Sequence, residues 1–426
     1  MNVYISPSQL RGSLDVPAGK SEAQRMVAMA TLCEGVSHIY NFPDNKDSAA
    51  ALRCARALGA LVQVVDTECT IRGNPQESAQ MIGDVVLDCG ESGLASRLFA
   101  CIAALYEKEI VVSGCGSLMS RPFDTLHSVF TSLKVDFSDD AGSLPLRIQG
   151  PIKSRDVIVD GSVSSQFVSG LLIALSAHRS TASVVVQSVS SQPYIHLTVE
   201  LLRQFGVHWR CDDSSVYVKT DGHLHAARLQ VPGDWSAAAT MMVAAVLCAD
   251  GEIELRGLNR NSVHADSAVM HLLAAADVPV RWSPDAAGVL VRKVKPKAFE
   301  FDFGDCPDLV PVAMVLAAAS SGECKLLNTS RLRYKESNRA WVMQQELAKA
   351  GITVKVSENE IAVLPGIGRH AQFSSHGDHR VAMAMSIFAM ANAGGTVVEA
   401  SCVDKSYANF FDDLALLGAS LKLEAK

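Results

Sequence analysis

The feature that most constrains the fold is a turn that keeps returning. Six times the chain runs from an amphipathic helix tail through a short turn into a strand. The six places are Ala57-Leu58-Gly59-Ala60, Ser132-Leu133-Lys134-Val135, Gln204-Phe205-Gly206-Val207, Ala276-Asp277-Val278, Lys349-Ala350-Gly351-Ile352 and Leu417-Gly418-Ala419, at intervals of 67 to 75 residues. Helix-Gly-strand turns occur in any α/β protein, so the period carries the inference rather than the turn. A period of this size marks a repeated supersecondary unit. Hairpin-like alternations follow several of the turns, as in Val280 to Trp282 with Val289 to Val291 and Val354 to Val356 with Ile361 to Val363. Each unit therefore mixes strands and helices. The expectation is an α/β fold of six units in two groups of three, with helices packed inside against sheets.

At 426 residues the chain exceeds the size at which one core usually keeps growing, which favours two lobes. Two Pro/Gly breaks, Pro17-Ala18-Gly19 and Pro232-Gly233, fall between the groups and read as crossings. The lobes expected are then 19–233 and 1–18 plus 234–426, with the first strand belonging to the second lobe. The apolar stretches Ala239 to Ala249 and Val310 to Ala319 are shorter than the roughly 18 to 20 residues a bilayer requires. They read as buried helices, and no membrane association is expected. Met1 to Leu10 has neither a basic start nor an apolar segment, so a cytoplasmic location is expected. A net charge of −7 and a pI near 6.0 speak against a nucleic-acid binder. Eleven cysteines lie scattered, without a C-x-x-C pair or His clustering, and predict free thiols and no structural zinc. Any anionic ligand must be held by local cations.

Several segments place cations or hydroxyls at helix starts. Lys20 and Ser21 open a helix with Arg25 about one turn further on, an arrangement suited to an anion or to a capped, solvated helix. Ser164, Ser165 and Gln166 lead into the apolar run Val168 to Ala177, where capping and phosphate binding are equally served. Ser191 and Tyr194 stand in what reads as a loop before a helix from His196 to Phe205. Gly93 lies at a strand-to-helix turn where a missing Cβ admits a ligand or close packing. Arg121 opens another helix with a guanidinium fork suited to phosphate or carboxylate.

The second half concentrates charge. In Arg331 to Arg339, extended alternation would bring cations to one face, with Lys335 and Arg339 four apart as a helix begins and Glu336 among them. Asp378-His379-Arg380 precedes the apolar helix Val381 to Ala391, and Asp308 precedes Leu309 to Ala319, where its structural alternative is helix capping. Lys405 is ordinary by itself.

Taken together, these segments resemble the 5-enolpyruvylshikimate-3-phosphate synthase family of enolpyruvyl transferases, from Gly19 to Phe411. The matching motifs are Gly19-Lys20-Ser21 through Arg25, Ser164 to Phe167, Pro193-Tyr194, Pro307-Asp308, Lys335 to Arg339 and Asp378 to Arg380. The resemblance implies two inside-out α/β lobes, each of three βαβαββ-type repeats, joined by two crossover segments. It also implies no metal and no organic cofactor. Shikimate 3-phosphate would be held by Lys20, Ser21, Arg25, Ser164, Ser165, Gln166, Ser191, Tyr194, Asp308 and Lys335. Phosphoenolpyruvate would be held by Lys20, Gly93, Arg121, Gln166, Arg339, Arg380 and Lys405. Asp308 is the expected base, Glu336 the shuttle for the C3 proton, and Lys20 and Lys405 the acids or phosphate clamps. A monomer is expected.

The chain departs from the family pattern at Glu91, Leu94, His196, Arg331 and Asn338. An added carboxylate at Glu91 would oppose phosphoenolpyruvate unless it points outward or pairs with a cation. Two rival readings are the related transferase acting on UDP-N-acetylglucosamine, for which Cys115 speaks and Ser21 speaks against, and a non-catalytic homologue that binds a phosphorylated metabolite.

Overall fold

The computed structural model describes residues 1–73, 84–162, 164–178, 180–212, 215–284 and 287–424. All six recurring turns take up the left-handed backbone conformation. Gly59, Gly206, Gly351 and Gly418 have φ of 89°, 87°, 89° and 107°, and Lys134 and Asp277 occupy the same region at 55° and 56°. A left-handed residue just past a helix end closes its last carbonyls, and glycine does so without a Cβ penalty. The period in the sequence is therefore a repeated helix C-terminus.

By contacts the chain divides into two compact units, Ala18–Val231 (the first unit) and Met1–Pro17 with Pro232–Lys426 (the second). Among the described residues, each contains three four-stranded sheets of one strand order. The sheet of Asp156–Asp160, Ala182–Gln187, Val216–Gly222 and Val207–Asp212 shows the plan, with a parallel pair first and an antiparallel hairpin after it. Helix Ser165–Ser176 joins the parallel strands and helix Gln192–Gln204 leads into the hairpin, giving βαβαββ. Three sheets are completed from distant chain. Arg228–Gln230 lies parallel to Val36–Tyr40, and Leu10–Asp15 lies parallel to Ala249–Arg256. Asn2–Ile5 sits between Gly395–Val398 and Leu421–Glu424.

Strands show the alternation expected of half-buried sheets: Val157 and Val159 are buried, while Asp156, Ile158 and Asp160 face outward. One helix of each repeat is buried along nearly its whole length. These are Lys20–Thr31, Gly93–Ala103 and Ser165–Ser176 in the first unit, and Trp235–Cys248, Val310–Ala318 and His379–Ala391 in the second. Those that are apolar nearly all round have no face for water and belong in a core, whereas Lys20–Thr31 also buries Glu22, Gln24 and Arg25. The second helix of each repeat, such as Lys46–Ala57, keeps a solvated face. Each unit is thus a sheet-walled bundle with its helices inside.

Three local expectations are corrected. Arg121 does not open a helix: it is the extended residue that ends the 3-10 turn Gly116–Ser120, and the helix after it begins at Thr125. Ser191 to Tyr194 is not a loop, because the helix already begins at Gln192 with Pro193 in its first turn, where proline's fixed φ suits it. Ser330–Tyr334 is a 3-10 turn instead of an extended strand; Leu332 is fully buried beneath it. Among the described residues, no helix is long and apolar enough to cross a membrane.

Candidate active site

In the first unit, one arginine gathers three helices at their N-terminal ends. Arg25 is 1% exposed, and among the described residues its guanidinium donates four hydrogen bonds. It donates from Nε to Thr198 Oγ1 at 2.8 Å, from Nη1 to the Ser21 carbonyl at 3.0 Å, and from Nη2 to Ser169 Oγ and the Tyr194 carbonyl at 3.3 Å each. Its guanidinium also lies 5.9 Å from the centre of the Tyr194 ring. All of these hydrogen-bond acceptors are neutral. Burial accordingly pushes the arginine down to about 10, against the pull of Glu22 and Tyr194; it remains a cation at neutral pH.

The predicted ligands Ser21, Ser164, Ser165, Gln166, Ser191 and Tyr194 stand at the starts of the helices that Arg25 ties together. Ser164 caps its helix by accepting from the Gln166 N–H at 3.3 Å. Lys20, at the first position of its helix, pairs with Asp47 at 2.8 Å. Asp47, in the first turn of the neighbouring helix, is a partner that local spacing around Lys20 does not reveal.

Ser92 caps the helix Gly93–Ala103 and donates to Gln24 Oε1 at 2.7 Å, fixing this helix start against that of Lys20–Thr31. Gly93 carries no side chain because there is no room for one. A Cβ there would stand 2.3 Å from Arg121 Nη1 and 2.9 Å from Arg97 Nη1. Arg97, absent from the sequence-based site, donates to the Gly93 and Pro122 carbonyls and lies over Phe123 and Phe167. Two guanidinium groups thus converge on the backbone of Gly93.

The second unit is built on carboxylates. Asp308 lies in the 3-10 turn Pro307–Leu309, and no side chain caps that turn. Instead, its Oδ1 meets Lys335 Nζ at 3.0 Å and Arg339 Nη1 at 2.7 Å, while Oδ2 meets Arg380 Nη2 at 3.1 Å. Burial raises its pKa, but Arg380, Lys335 and Arg339 outweigh that and hold it well below the usual carboxylate range. Burial lowers that of Lys335 in turn, partly offset by Asp308.

Arg339, also 1% exposed, is shared by three acids: Asp308, Glu336 at 2.6 Å and Asp378 at 2.8 Å. Burial would lower its pKa, but Asp378, Glu336 and Asp308 raise it well above its ordinary value. Asp378 caps the helix His379–Ala391 through the Arg380 N–H, so one residue both ends a turn and holds Arg339. Arg380 further donates to Ser236 Oγ at 3.1 Å, and Ser236 contacts the fully buried Asp266. Lys405, in the 3-10 turn Ala400–Lys405, donates to the carbonyl of Gly377 at 2.9 Å. Asp308, Lys335, Glu336, Arg339 and Arg380 therefore form one network. The roles of Asp378, Ser236 and Asp266 in it lay beyond local spacing.

The model of EPSP synthase (3-phosphoshikimate 1-carboxyvinyltransferase) matches residues 5–414. The chain belongs to this family. Among its relatives, 3-phosphoshikimate 1-carboxyvinyltransferases from Methanopyrus kandleri and Clostridium kluyveri are 35% and 32% identical to it. They align over 96% and 98% of both chains. An EPSP synthase structure from Acinetobacter baumannii superposes with a TM-score of 0.83 at 22% identity, covering 99% of this chain and all of that one. The enolpyruvyl transferase NikO from Streptomyces tendae superposes at 0.79 with 18% identity. These two likenesses establish the EPSP synthase fold of two inside-out lobes.

One departure from the EPSP synthase pattern has a local explanation. Glu91 Oε2 accepts from the Ser117 N–H at 3.1 Å and from its hydroxyl at 3.2 Å, so this carboxylate is tied to the turn Gly116–Ser120. Cys115, which raised the rival reading, is exposed just before that turn.

Proposed function

We infer that the chain transfers the enolpyruvyl group of phosphoenolpyruvate to the 5-hydroxyl of shikimate 3-phosphate, releasing phosphate in the cytoplasm. The observation that carries this is the family match from residue 5 to 414, which takes in the motif-bearing segments of both units.

The 5-hydroxyl oxygen bonds to C2 of phosphoenolpyruvate and loses its proton while C3 gains one; the tetrahedral adduct then loses phosphate from C2 and a proton from C3. Such a reaction needs a base, an acid and a clamp for anions. Lys20, Ser21, Arg25, Ser164, Ser165, Gln166, Ser191, Tyr194, Asp308 and Lys335 are assigned to shikimate 3-phosphate. Arg25 already donates to four protein acceptors, so it acts chiefly as a buried positive charge that also sets Tyr194 and Ser21. Gly93, Arg121, Gln166, Arg339, Arg380, Lys20 and Lys405 are assigned to phosphoenolpyruvate.

Asp308 is too weakly basic to take a proton while three cations hold it. Anionic substrates compete for those cations, and each one drawn away raises its basicity. Substrate binding therefore turns Asp308 from a counter-ion into the base, and its charge also steadies positive character at C2. Glu336, released from Arg339 by the same competition, is placed to serve the C3 proton, with Lys20 and Lys405 at the departing phosphate.

The test is phosphate release from phosphoenolpyruvate with either acceptor. Release with shikimate 3-phosphate, undiminished by chelator, is expected. Release with UDP-N-acetylglucosamine alone would establish the rival transferase, and release with neither would leave a binding protein.

A further inference from the structure

Glu91 stands where the family's pattern has a small polar residue, and the surrounding geometry gives its carboxylate a task. Two segments of the first unit, Asp88 to Gly93 and Cys115 to Arg121, are tied at three successive points. Cys115 N–H donates to the Gly90 carbonyl at 2.8 Å. Glu91 Oε2 accepts from both donors of Ser117. Arg121 Nη1 then lies against the Cα of Gly93, close enough that a Cβ would stand 2.3 Å away.

The side chain and the turn are fitted to each other. Gly116 has φ +57°, and a Cβ on it would stand 2.4 Å from Glu91 Oε2, so only glycine lets the carboxylate reach Ser117. The Ser117 N–H belongs to the first turn of a five-residue 3-10 segment, where backbone donors have no partner within the turn. A charged acceptor makes the stronger hydrogen bond there. Four residues further on, with its own N–H on the Leu118 carbonyl at 3.2 Å, comes Arg121.

We propose that Glu91 is a positioning residue for phosphoenolpyruvate binding: by clasping the turn at Ser117 it holds the Arg121 guanidinium over Gly93. This rests on the reading that Arg121 and Gly93 hold phosphoenolpyruvate. The clasp acts on one substrate, because Arg121 is assigned to phosphoenolpyruvate and not to shikimate 3-phosphate.

The test compares wild type, Glu91→Gln, Glu91→Ala and Ser117→Ala in steady-state phosphate release, with KM for each substrate. Wild-type release with shikimate 3-phosphate comes first, since its absence would sink the functional reading and not the clasp. Glu91→Ala is then expected to raise KM for phosphoenolpyruvate roughly tenfold, the loss of a charged hydrogen bond. KM for shikimate 3-phosphate and kcat should change much less. Glu91→Gln, which keeps an acceptor, should fall between Glu91→Ala and wild type, and Ser117→Ala, which keeps the backbone donor, should be the mildest. In an Arg121→Ala background, adding Glu91→Ala should do almost nothing further to that KM. An unchanged or lowered KM in Glu91→Ala, an equal rise for both substrates, or an undiminished effect without Arg121 would each overturn the proposal. Melting temperatures of the variants show whether a general loss of fold accounts for the change.

Discussion

Arg25 and Arg339 are the same residue at the same burial, each 1% exposed, one a turn inside its helix and the other at the first position of its own, yet their surroundings move them in opposite directions. Arg25 in the first unit faces hydroxyls and carbonyls, and burial pulls it down to about 10. Arg339 in the second unit is held by three carboxylates that raise it well above its ordinary value. A buried cation among neutral acceptors has unmet attraction for an anion, whereas one among carboxylates is already matched. The first unit therefore offers a standing positive charge to a ligand. In the proposed reaction the cations of the second stay paired with carboxylates until a competing anion arrives, and the same competition would free its acids.

The contrast is broken most severely at Arg339. Arg339→Ala leaves Asp308, Glu336 and Asp378 without their shared cation, and removing one partner of a buried ionic network costs about 3–5 kcal/mol. Urea unfolding should show a loss of that order together with loss of turnover; a variant as stable as wild type would mean the acids are not matched through Arg339.

Next comes Asp308→Ala, in which kcat should fall roughly 10² to 10⁴-fold, the range for a positioned base. Near-normal turnover would remove Asp308 from the chemistry.

A smaller effect sharpens the comparison through pH. The folded-state pKa of Asp308 lies well below the unfolded value of about 3.9, so as pH falls the unfolded chain takes up its proton first. Its contribution to stability is complete above the unfolded value and is lost as pH falls through the folded one. Urea midpoints should therefore drop more steeply below about pH 4 in wild type than in Asp308→Asn. Parallel profiles would show that the three cations do not hold the carboxylate as described.

The fold was legible because its signal is local and repeated. A left-handed turn after a helix favours glycine, and four of six turns have it; Lys134 and Asp277 fit the period only through their flanking residues. The candidate cations were easy to pick out too, since Lys20, Arg339 and Arg380 stand at helix starts, with Arg25 and Lys335 about one turn away. Apart from Glu336, three residues from Arg339, their partners were not. Asp47 holds Lys20 from another helix, and Asp378 holds Arg339 from 39 residues away. Nor does any spacing show that Arg121 lies against Gly93, or that Asp308 leaves its turn uncapped to meet three cations. Residue type and period reveal elements and charges, whereas neutralisation is settled by contacts distant in sequence.

The most direct test of this account is the affinity of shikimate 3-phosphate, measured by calorimetric titration without phosphoenolpyruvate, for wild type and Arg25→Ala. A buried cation whose hydrogen-bond acceptors are neutral acts on the ground state, so Arg25→Ala should weaken binding roughly 10 to 100-fold, in line with charged hydrogen bonds of about 1.5–3 kcal/mol. Equal affinity in the two proteins, with Arg25→Ala properly folded, would contradict the claim that the first unit holds a prepared anion site.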